Sequence, residues 1–226
     1  MAKKEYALIV AGGKGTRMKS SLPKQFILLA GKPIILHTLE KFYSYSRKIT
    51  VILVLPKNDF ATWNRICRKY KFREAVILQE GGATRFQSVR NGLDKIEGQG
   101  LVAIHDGVRP LVAKKLIASS FRAAALHQCA VAGVLLKESI RMTDHSKTVA
   151  VDRRRFRMIQ TPQTFDVQLI KDAYSAQEDP ALTDDASVVE KAGHKIFLFE
   201  GSYRNIKITT PEDLVMAEAL MKGKFS

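Results

Sequence analysis

Apolar runs alternate with amphipathic stretches along most of the 226-residue chain. Short apolar runs of the kind that form buried strands cover residues 6–11, 49–55, 75–79, 101–105 and 130–136. Stretches with apolar side chains on one helical face lie between them, at residues 34–45, 58–70, 85–96 and 114–127. Asn58 is a candidate N-cap for the second of these helices. The alternation predicts an α/β fold with a mostly parallel sheet and helices on both faces.

The pattern changes at residues 137–158, which hold seven Lys or Arg and three acids. This stretch alternates loosely around a turn signal near Asp144, so we interpret it as a β-hairpin arm leaving the main sheet. Beyond it the pattern predicts helices at 166–176 and 183–192, strands at 195–199 and 205–208, and a last helix from Pro211. We therefore predict one domain over residues 1–226, with the arm as an excursion from it.

Composition narrows the function classes. Hydrophobic residues make up 46% of the chain and charged ones 26%, which excludes wholesale disorder. Two cysteines cannot form a disulfide framework, and no apolar run approaches the ~20 residues of a membrane span. We expect a cytosolic protein without a membrane partner. The net charge of +15 indicates an anionic partner, which composition leaves open between nucleic acid, an acidic membrane and a phosphorylated small molecule.

A glycine-rich loop follows the first predicted strand and suits phosphate binding. Glycines let backbone N–H groups approach a phosphate, and nearby Lys14, Arg17 and Lys24 add positive charge. The loop matches neither the Walker A motif nor the dinucleotide fingerprint, since the glycine and Lys-Ser/Thr spacing is wrong for both. A plain strand-to-helix turn is the alternative.

Two further loops also follow strands, and ligands of parallel sheets bind beyond the carboxyl ends of strands. Gly82 lies before a helix start that carries Arg85 and Ser88, which suits an anion or a base edge, although a simple turn fits too. Asp106, followed closely by Arg109, suits Mg²⁺ or a substrate hydroxyl; an ion pair that braces the loop is the alternative.

A set of short motifs follows one another along the chain: Ala11-Gly12-Gly13-x-Gly15-x-Arg17-Met18, Pro23-Lys24-Gln25, Gly81-Gly82-x-x-Arg85-x-x-Ser88, His105-Asp106-x-x-Arg109-Pro110, Asp152-Arg153, Thr161-Pro162-Gln163, Thr183-Asp184-Asp185-Ala186-Ser187 and Asn205-Ile206-Lys207-Ile208-Thr209. Each motif is weak alone, but together they cover nearly the whole chain. In this order they resemble the 2-C-methyl-D-erythritol 4-phosphate cytidylyltransferase family of the non-mevalonate isoprenoid pathway.

The resemblance implies a single Rossmann-like nucleotidyltransferase domain with a protruding β-arm that builds a homodimer. It implies transfer of a cytidylyl group from CTP to methylerythritol 4-phosphate, with Mg²⁺ as cofactor and pyrophosphate as the second product. Two polyanions must be brought together in such a reaction, so positioning and charge neutralisation carry the catalysis. The chain needs no nucleophilic side chain for this chemistry.

The same resemblance assigns expected roles to residues. The expected catalytic cations are Arg17, Lys24, Arg153 and Lys207. The expected CTP-binding residues are Ala11, Gly12, Gly13, Lys14, Gly15, Gly82, Arg85 and Ser88. The expected residues for the sugar-alcohol phosphate are Asp106, Arg109, Ser139, Thr161 and Thr183, with Asp106 also a candidate metal ligand. Ser139 and Arg153 belong to the arm, so each site would take them from the other subunit.

Three alternatives stay open at this point. A ribitol 5-phosphate cytidylyltransferase shares most of these motifs; Ser88 and the Thr183 motif favour methylerythritol, whereas Val108-Arg109-Pro110 leans towards ribitol. A nucleic-acid-binding module would explain the net charge, but the excess cations are scattered and match no reader motif, so we expect no nucleic-acid partner. A non-catalytic sugar-nucleotide sensor is not favoured, since no charged catalytic position is substituted.

Overall fold

The computed structural model describes residues 3–13, 18 and 22–223. The strands are β1 (Glu5–Val10), β2 (Leu28–Leu29), β3 (Lys32–Pro33), β4 (Thr50–Leu55), β5 (Val76–Glu80), β6 (Leu101–Asp106), β7 (Cys129–Leu135), β8 (Ile140–Asp144), β9 (Lys147–Val151), β10 (Arg157–Asp166) and β11 (Phe197–Glu200). The α-helices are α1 (Ile34–Tyr45), α2 (Phe60–Lys69), α3 (Arg85–Leu93), α4 (Lys114–His127), α5 (Val167–Ser175), α6 (Asp185–Lys191) and α7 (Pro211–Met221).

Among the described residues, seven strands form the main sheet, in the order β11-β7-β10-β6-β1-β4-β5. Strand β1 pairs in parallel with both β4 and β6, β4 with β5, and β11 with β7. Strand β10 runs antiparallel between β6 and β7. The predicted α/β fold with a mostly parallel sheet is confirmed.

Helices cover both faces of this sheet, as the alternation predicts. Along β1, the side chains of Ala7 and Ile9 face one apolar cluster, whereas Tyr6 and Leu8 face another. Helices α1, α2 and α4 pack against the first cluster, while α3, α5 and α6 pack against the second. Near-continuous apolar strands such as β4 are what a sheet buried on both faces requires.

Two local predictions are wrong, and one strand of the main sheet was not predicted. Asn58 does not cap α2: it lies in a 3-10 turn at Lys57–Asp59, and the helix begins at Phe60. Residues 205–208 form no strand, although Ile208 donates one backbone bond to Val108 at 2.9 Å. Strand β10 is absent from the prediction, since its exposed charged end and Gln- and Thr-rich middle show no clear alternation.

The arm between β7 and β10 contains a two-stranded hairpin of β8 and β9, which is separate from the main sheet. Met142 lies opposite Val149, and their exposed fractions are 61% and 55%. The predicted hairpin excursion is therefore confirmed. None of the helices in the described ranges combines the length and apolar character needed to span a bilayer.

Candidate functional site

Three loops meet at the carboxyl ends of β1, β4, β5 and β6. Their first residues extend the sheet: the N–H of Ala11 donates to Val54 at 3.0 Å, that of Gly81 to Leu55 at 2.9 Å and that of Gly107 to Val10 at 2.9 Å. The predicted convergence of the loops on one crevice is thus observed.

Two glycines permit close approach in this crevice. A Cβ on Gly13 would lie 3.2 Å from the Nζ of Lys24, so the lysine side chain passes directly over the glycine. A Cβ on Gly82 would lie 2.3 Å from the Cβ of Gln87, which is far inside van der Waals contact. Both loops therefore expose backbone at places where a side chain would displace a neighbour.

The crevice contains a cavity of about 580 Å³, which we call the nucleotide cavity. Its described lining residues are Val10, Ala11, Gly12, Gly13, Lys24, Pro56, Gly82, Ala83, Thr84, Arg85, Ser88, Asp106, Val108 and Lys207. Ser88 is buried, and its hydroxyl links the Gly82 loop to the start of α3. Its hydroxyl donates to the carbonyl of Thr84 at 2.8 Å and accepts from the N–H of Gly82 at 3.1 Å.

A second cavity of about 400 Å³ adjoins the first, and we call it the acceptor cavity. Its described lining residues are Arg85, Asp106, Arg109, Ile159, Gln160, Thr161, Gln163, Thr183, Asp184 and Lys207. Arg85, Asp106 and Lys207 line both cavities. The boundary between the cavities is therefore a wall of charged side chains.

Asp106 is the centre of that wall. Its Oδ2 accepts from the Nε of Arg109 and lies 3.1 Å from the Nζ of Lys207. Burial alone would raise the pKa of this carboxyl, but Lys207, Arg109 and Arg85 hold that pKa well below its usual range. The ion pair that braces the loop is thus present, and it leaves Lys207 about 40% exposed towards the cavities.

Strand β10 fixes the opposite side of the acceptor cavity. The hydroxyl of Thr161 accepts from the backbone N–H of Asp106 at 3.0 Å. The amide of Asn205 donates to the carbonyl of Thr161 at 2.8 Å, and Arg109 donates to the carbonyl of Asn205 at 2.9 Å. Residues 205–207 are held by these bonds rather than by strand pairing, which explains how Lys207 reaches the site from a loop.

The predicted site residues fall into three groups. Within the described residues, the nucleotide cavity brings together Ala11, Gly12, Gly13, Lys24, Gly82, Arg85 and Ser88, and the acceptor cavity brings together Asp106, Arg109, Thr161, Thr183 and Lys207. Ser139 and Arg153 are exposed in the arm, and neither cavity of the described chain includes them. The predicted roles of Lys14, Gly15 and Arg17 lie outside the described residues.

The residues around Asp106 do not fit a protein-held metal. Residues 3–13, 18 and 22–223 contain no group of three His, Cys, Asp or Glu that could hold an ion. Asp106 already serves Arg109 and Lys207, and three surrounding cations oppose the approach of Mg²⁺. Asp106 therefore suits contacts to cationic side chains or to hydroxyl groups better than metal ligation.

Comparison with known sequences identifies the family. A sequence model described as 2-C-methyl-D-erythritol 4-phosphate cytidylyltransferase matches residues 6–223. The chain belongs to this cytidylyltransferase family. A protein of that name from Bacteroides fragilis is 46% identical over 95% of this chain and 98% of its own length. Another from Phocaeicola vulgatus is 44% identical over 96% of this chain and 99% of its own length.

Solved structures of cytidylyltransferases share the fold. The 4-diphosphocytidyl-2C-methyl-D-erythritol synthase of Anaerococcus prevotii is 29% identical, with a TM-score of 0.84 over 97% of this chain and 96% of that one. The 2-C-methyl-D-erythritol 4-phosphate cytidylyltransferase of Thermus thermophilus is 30% identical, with a TM-score of 0.78 over 98% of this chain and 100% of that one. The likeness extends over nearly the full length of both cytidylyltransferases.

Sequence reasoning missed four side chains that shape the cytidylyltransferase site. Asp185 accepts from Arg85 and Tyr174 donates to Asp185. Gln163 donates to Asp184 at 2.8 Å, and Asn205 donates to the carbonyl of Thr161. Asp185, Gln163 and Asn205 lie inside the motifs that carry the family resemblance, and that position was the signal by which they could have been predicted as site residues. Tyr174 had none, because its spacing matches an ordinary buried helix position.

Proposed function

We propose that this protein transfers the cytidylyl group of CTP to 2-C-methyl-D-erythritol 4-phosphate, in the biosynthesis of isoprenoid precursors. The products are 4-diphosphocytidyl-2-C-methyl-D-erythritol and pyrophosphate. Membership of the family supports the reaction. The observation that carries the geometry is a pair of adjoining cavities that share Arg85, Asp106 and Lys207 as a common wall. Such a pair suits two phosphorylated substrates that react with each other.

The nucleotide cavity would bind CTP through backbone groups and cations. Gly12 and Gly13 lie on one side, with Lys24 folded over Gly13 where a triphosphate could meet both. Gly82 and the buried Ser88 lie on the other side, near the N-terminus of α3. We assign the triphosphate to the first side, together with Lys14, Gly15 and Arg17, and the cytidine to the second.

The acceptor cavity would bind the methylerythritol phosphate. Lys207 is the exposed cation on the shared wall, and Asp106 and Thr183 offer oxygen atoms to hydroxyl groups. Arg109 serves mainly to hold Asp106 and the backbone of Asn205, so its role would be in shaping the cavity. Thr161 acts similarly through its bond to the backbone of Asp106.

The chemistry follows from this arrangement. A phosphate oxygen of the acceptor attacks the α-phosphorus of CTP, a new P–O bond forms, and the bond to the bridging oxygen of pyrophosphate breaks. Lys24 and Arg17 would stabilise the charge that develops on the α-phosphate and the leaving group. Lys207, which lies on the shared wall, would hold the attacking phosphate against the nucleotide.

We propose that Mg²⁺ binds together with the triphosphate of CTP. This ion is commonly bound through substrate phosphates with few protein carboxylates. Since Asp106 is occupied by Arg109 and Lys207, the phosphate oxygens of CTP would be its main ligands. The ion would add positive charge to the polyphosphate.

We further infer a homodimer built through the arm. A two-stranded hairpin is marginally stable alone, and β8 and β9 expose the apolar pair Met142 and Val149 on one face. Neither Arg153 nor Ser139 is among the described lining residues of its own chain's cavities. Both would complete the site of a second copy. One domain over residues 1–226 and a cytosolic location stay predictions.

A substrate panel tests the proposed function. Pyrophosphate release would be followed with CTP, UTP, ATP and GTP, each crossed with methylerythritol 4-phosphate, ribitol 5-phosphate and erythritol 4-phosphate. We expect turnover with CTP and methylerythritol 4-phosphate, and none with unphosphorylated methylerythritol as the control. Turnover with ribitol 5-phosphate but not with methylerythritol 4-phosphate would move the assignment to the ribitol enzyme.

A further inference from the structure

A buried carboxylate outside the described cavity linings holds Arg85 in place. Asp185 is fully buried at the start of α6, and Arg85 begins α3 with a side chain that is 32% exposed. The guanidinium donates through both terminal nitrogens, at 2.8 Å to one carboxylate oxygen and 2.6 Å to the other. This forked pair joins residues 100 positions apart in the chain.

Tyr174 completes the arrangement from α5. Its hydroxyl donates to Asp185 at 2.6 Å, and its ring stacks on Phe86 at a centroid distance of 4.6 Å. Burial and the nearby carboxylate raise the pKa of Tyr174, so its hydroxyl keeps the proton that it donates. Asp185 is thus fixed from two sides before any ligand arrives.

Within the part of the chain that the structure describes, the pairing leaves Arg85 with further donors at the wall between the cavities. A guanidinium has five N–H groups, and the fork to Asp185 uses two of them. Burial alone would lower the pKa of Arg85, whereas Asp185 raises it, so the side chain stays charged. An unrestrained arginine would have to give up rotamer entropy on binding, and this pair removes much of that cost in advance.

We propose that Asp185 is a positioning residue that orients Arg85 for CTP, with Tyr174 supporting it. The proposal rests on the proposed function for the identity of the nucleotide. Asp185 acts only through Arg85, so its loss weakens CTP binding to the extent that Arg85 contributes.

The experiment measures CTP affinity by calorimetry, which does not depend on the identity of the acceptor. Asp185→Asn keeps the shape of the side chain but removes its charge, and we expect roughly 10- to 100-fold weaker CTP binding. Tyr174→Phe keeps the stacked ring, and a smaller, severalfold loss is expected. Asp179→Asn is the matched control, because it breaks an exposed ion pair with Lys191 and leaves Arg85 untouched.

A double-mutant cycle separates positioning from plain stabilisation. If Asp185 acts through Arg85, the Arg85→Ala/Asp185→Asn protein binds CTP within about twofold of Arg85→Ala alone. It should also melt at a higher temperature than Arg85→Ala, which leaves a buried charge unpaired. The proposal would be overturned if the losses of CTP affinity in the two single variants multiplied in the double variant. A folded Asp185→Asn protein with the wild-type CTP affinity would also overturn it.

The same cycle can be run with Tyr174→Phe if Asp185→Asn does not fold. Wild-type affinity in folded Tyr174→Phe, or losses that multiply with those of Arg85→Ala, would again contradict positioning. Failure of the proposed function has a different signature. The wild type would then release no pyrophosphate with CTP and methylerythritol 4-phosphate, whatever the CTP affinities of the variants.

Discussion

The crevice and the arm differ in which side chains they bury: the crevice buries charged side chains, whereas the arm exposes apolar ones. At the crevice, two aspartates are buried beside cations of the same chain: Asp106 pairs with Arg109 and Lys207, and Asp185, behind the cavity linings, pairs with Arg85. In the arm, Asp152 pairs with Arg154 in an exposed bridge, while Met142 and Val149 face outward. The crevice is thus preorganised within one chain, whereas the arm leaves its apolar face to be covered by something else, which we propose is a second copy.

Removal of a shared-wall cation should have the largest effect. Lys207→Ala takes away the exposed positive charge beside both cavities, so we expect kcat/KM to fall roughly 10²- to 10³-fold. Steady-state kinetics with both substrates varied would measure it. Lys195→Ala, at an exposed position that lines neither described cavity, is the control. A loss below tenfold would mean that the crevice does not depend on this charge.

A charge on the apolar face of the arm should break the proposed dimer. Met142→Asp places a carboxylate opposite Val149, and we expect a shift from dimer to monomer in sedimentation together with at least a tenfold activity loss. Thr143→Asp carries the same charge on the other face of the hairpin and is the matched control. A wild-type protein that sediments as a monomer and is fully active would contradict both the dimer and shared sites.

A methyl group on Gly82 should weaken nucleotide binding and also destabilise the fold. Its Cβ would meet Gln87 at 2.3 Å, so the loop must move away from α3. We expect roughly tenfold weaker CTP binding and a stability loss of about 1–3 kcal/mol. Calorimetry and urea unfolding measure the two effects. In Gly133→Ala, near the base of the arm, the new Cβ has 3.4 Å to its nearest neighbour and should leave CTP binding unchanged.

The smallest effect on turnover is expected from substitution of His105. This residue should instead make the free energy of unfolding depend on pH. Burial lowers its pKa to about 4, below the 6.5 of an unfolded histidine. The unfolded chain therefore binds the proton more tightly, and the stabilisation present above pH 6.5 is lost as pH falls towards 4. Between pH 7.5 and 5 the loss should be about 2 kcal/mol.

Urea unfolding at both pH values would measure that loss. His105→Gln can still donate to the carbonyl of Arg109, which His105 meets at 3.3 Å, but it does not titrate. The variant should lose about 2 kcal/mol less than the wild type over this range. Equal pH dependence in both proteins would show that His105 does not have the depressed pKa.

Much of the fold could be predicted because apolar periodicity is local. Helix α4 spans the predicted residues 114–127, and β4 lies within one residue of its predicted start, since both are long or uniformly apolar. The last helix begins at Pro211 with the capping box of Thr210 and Asp213, a signal contained in four consecutive residues. Strand β10 was not predicted because its own sequence has no clear strand pattern, and its pairing with β6 and β7 makes it a strand.

The sequence by itself determined the strand-end loops, the chemistry that their residues offer and the family. Only the tertiary structure decided which charges meet, because the order of strands in the sheet, and not spacing along the chain, brings them together. Lys207 and Asp106 meet at 3.1 Å, and Asp185 turns towards Arg85 rather than towards a ligand. An unpaired buried carboxylate is strongly destabilising, so each of these carboxylates lies beside a cation. The packing of the chain determines which cation that is and thereby the shape of the two cavities.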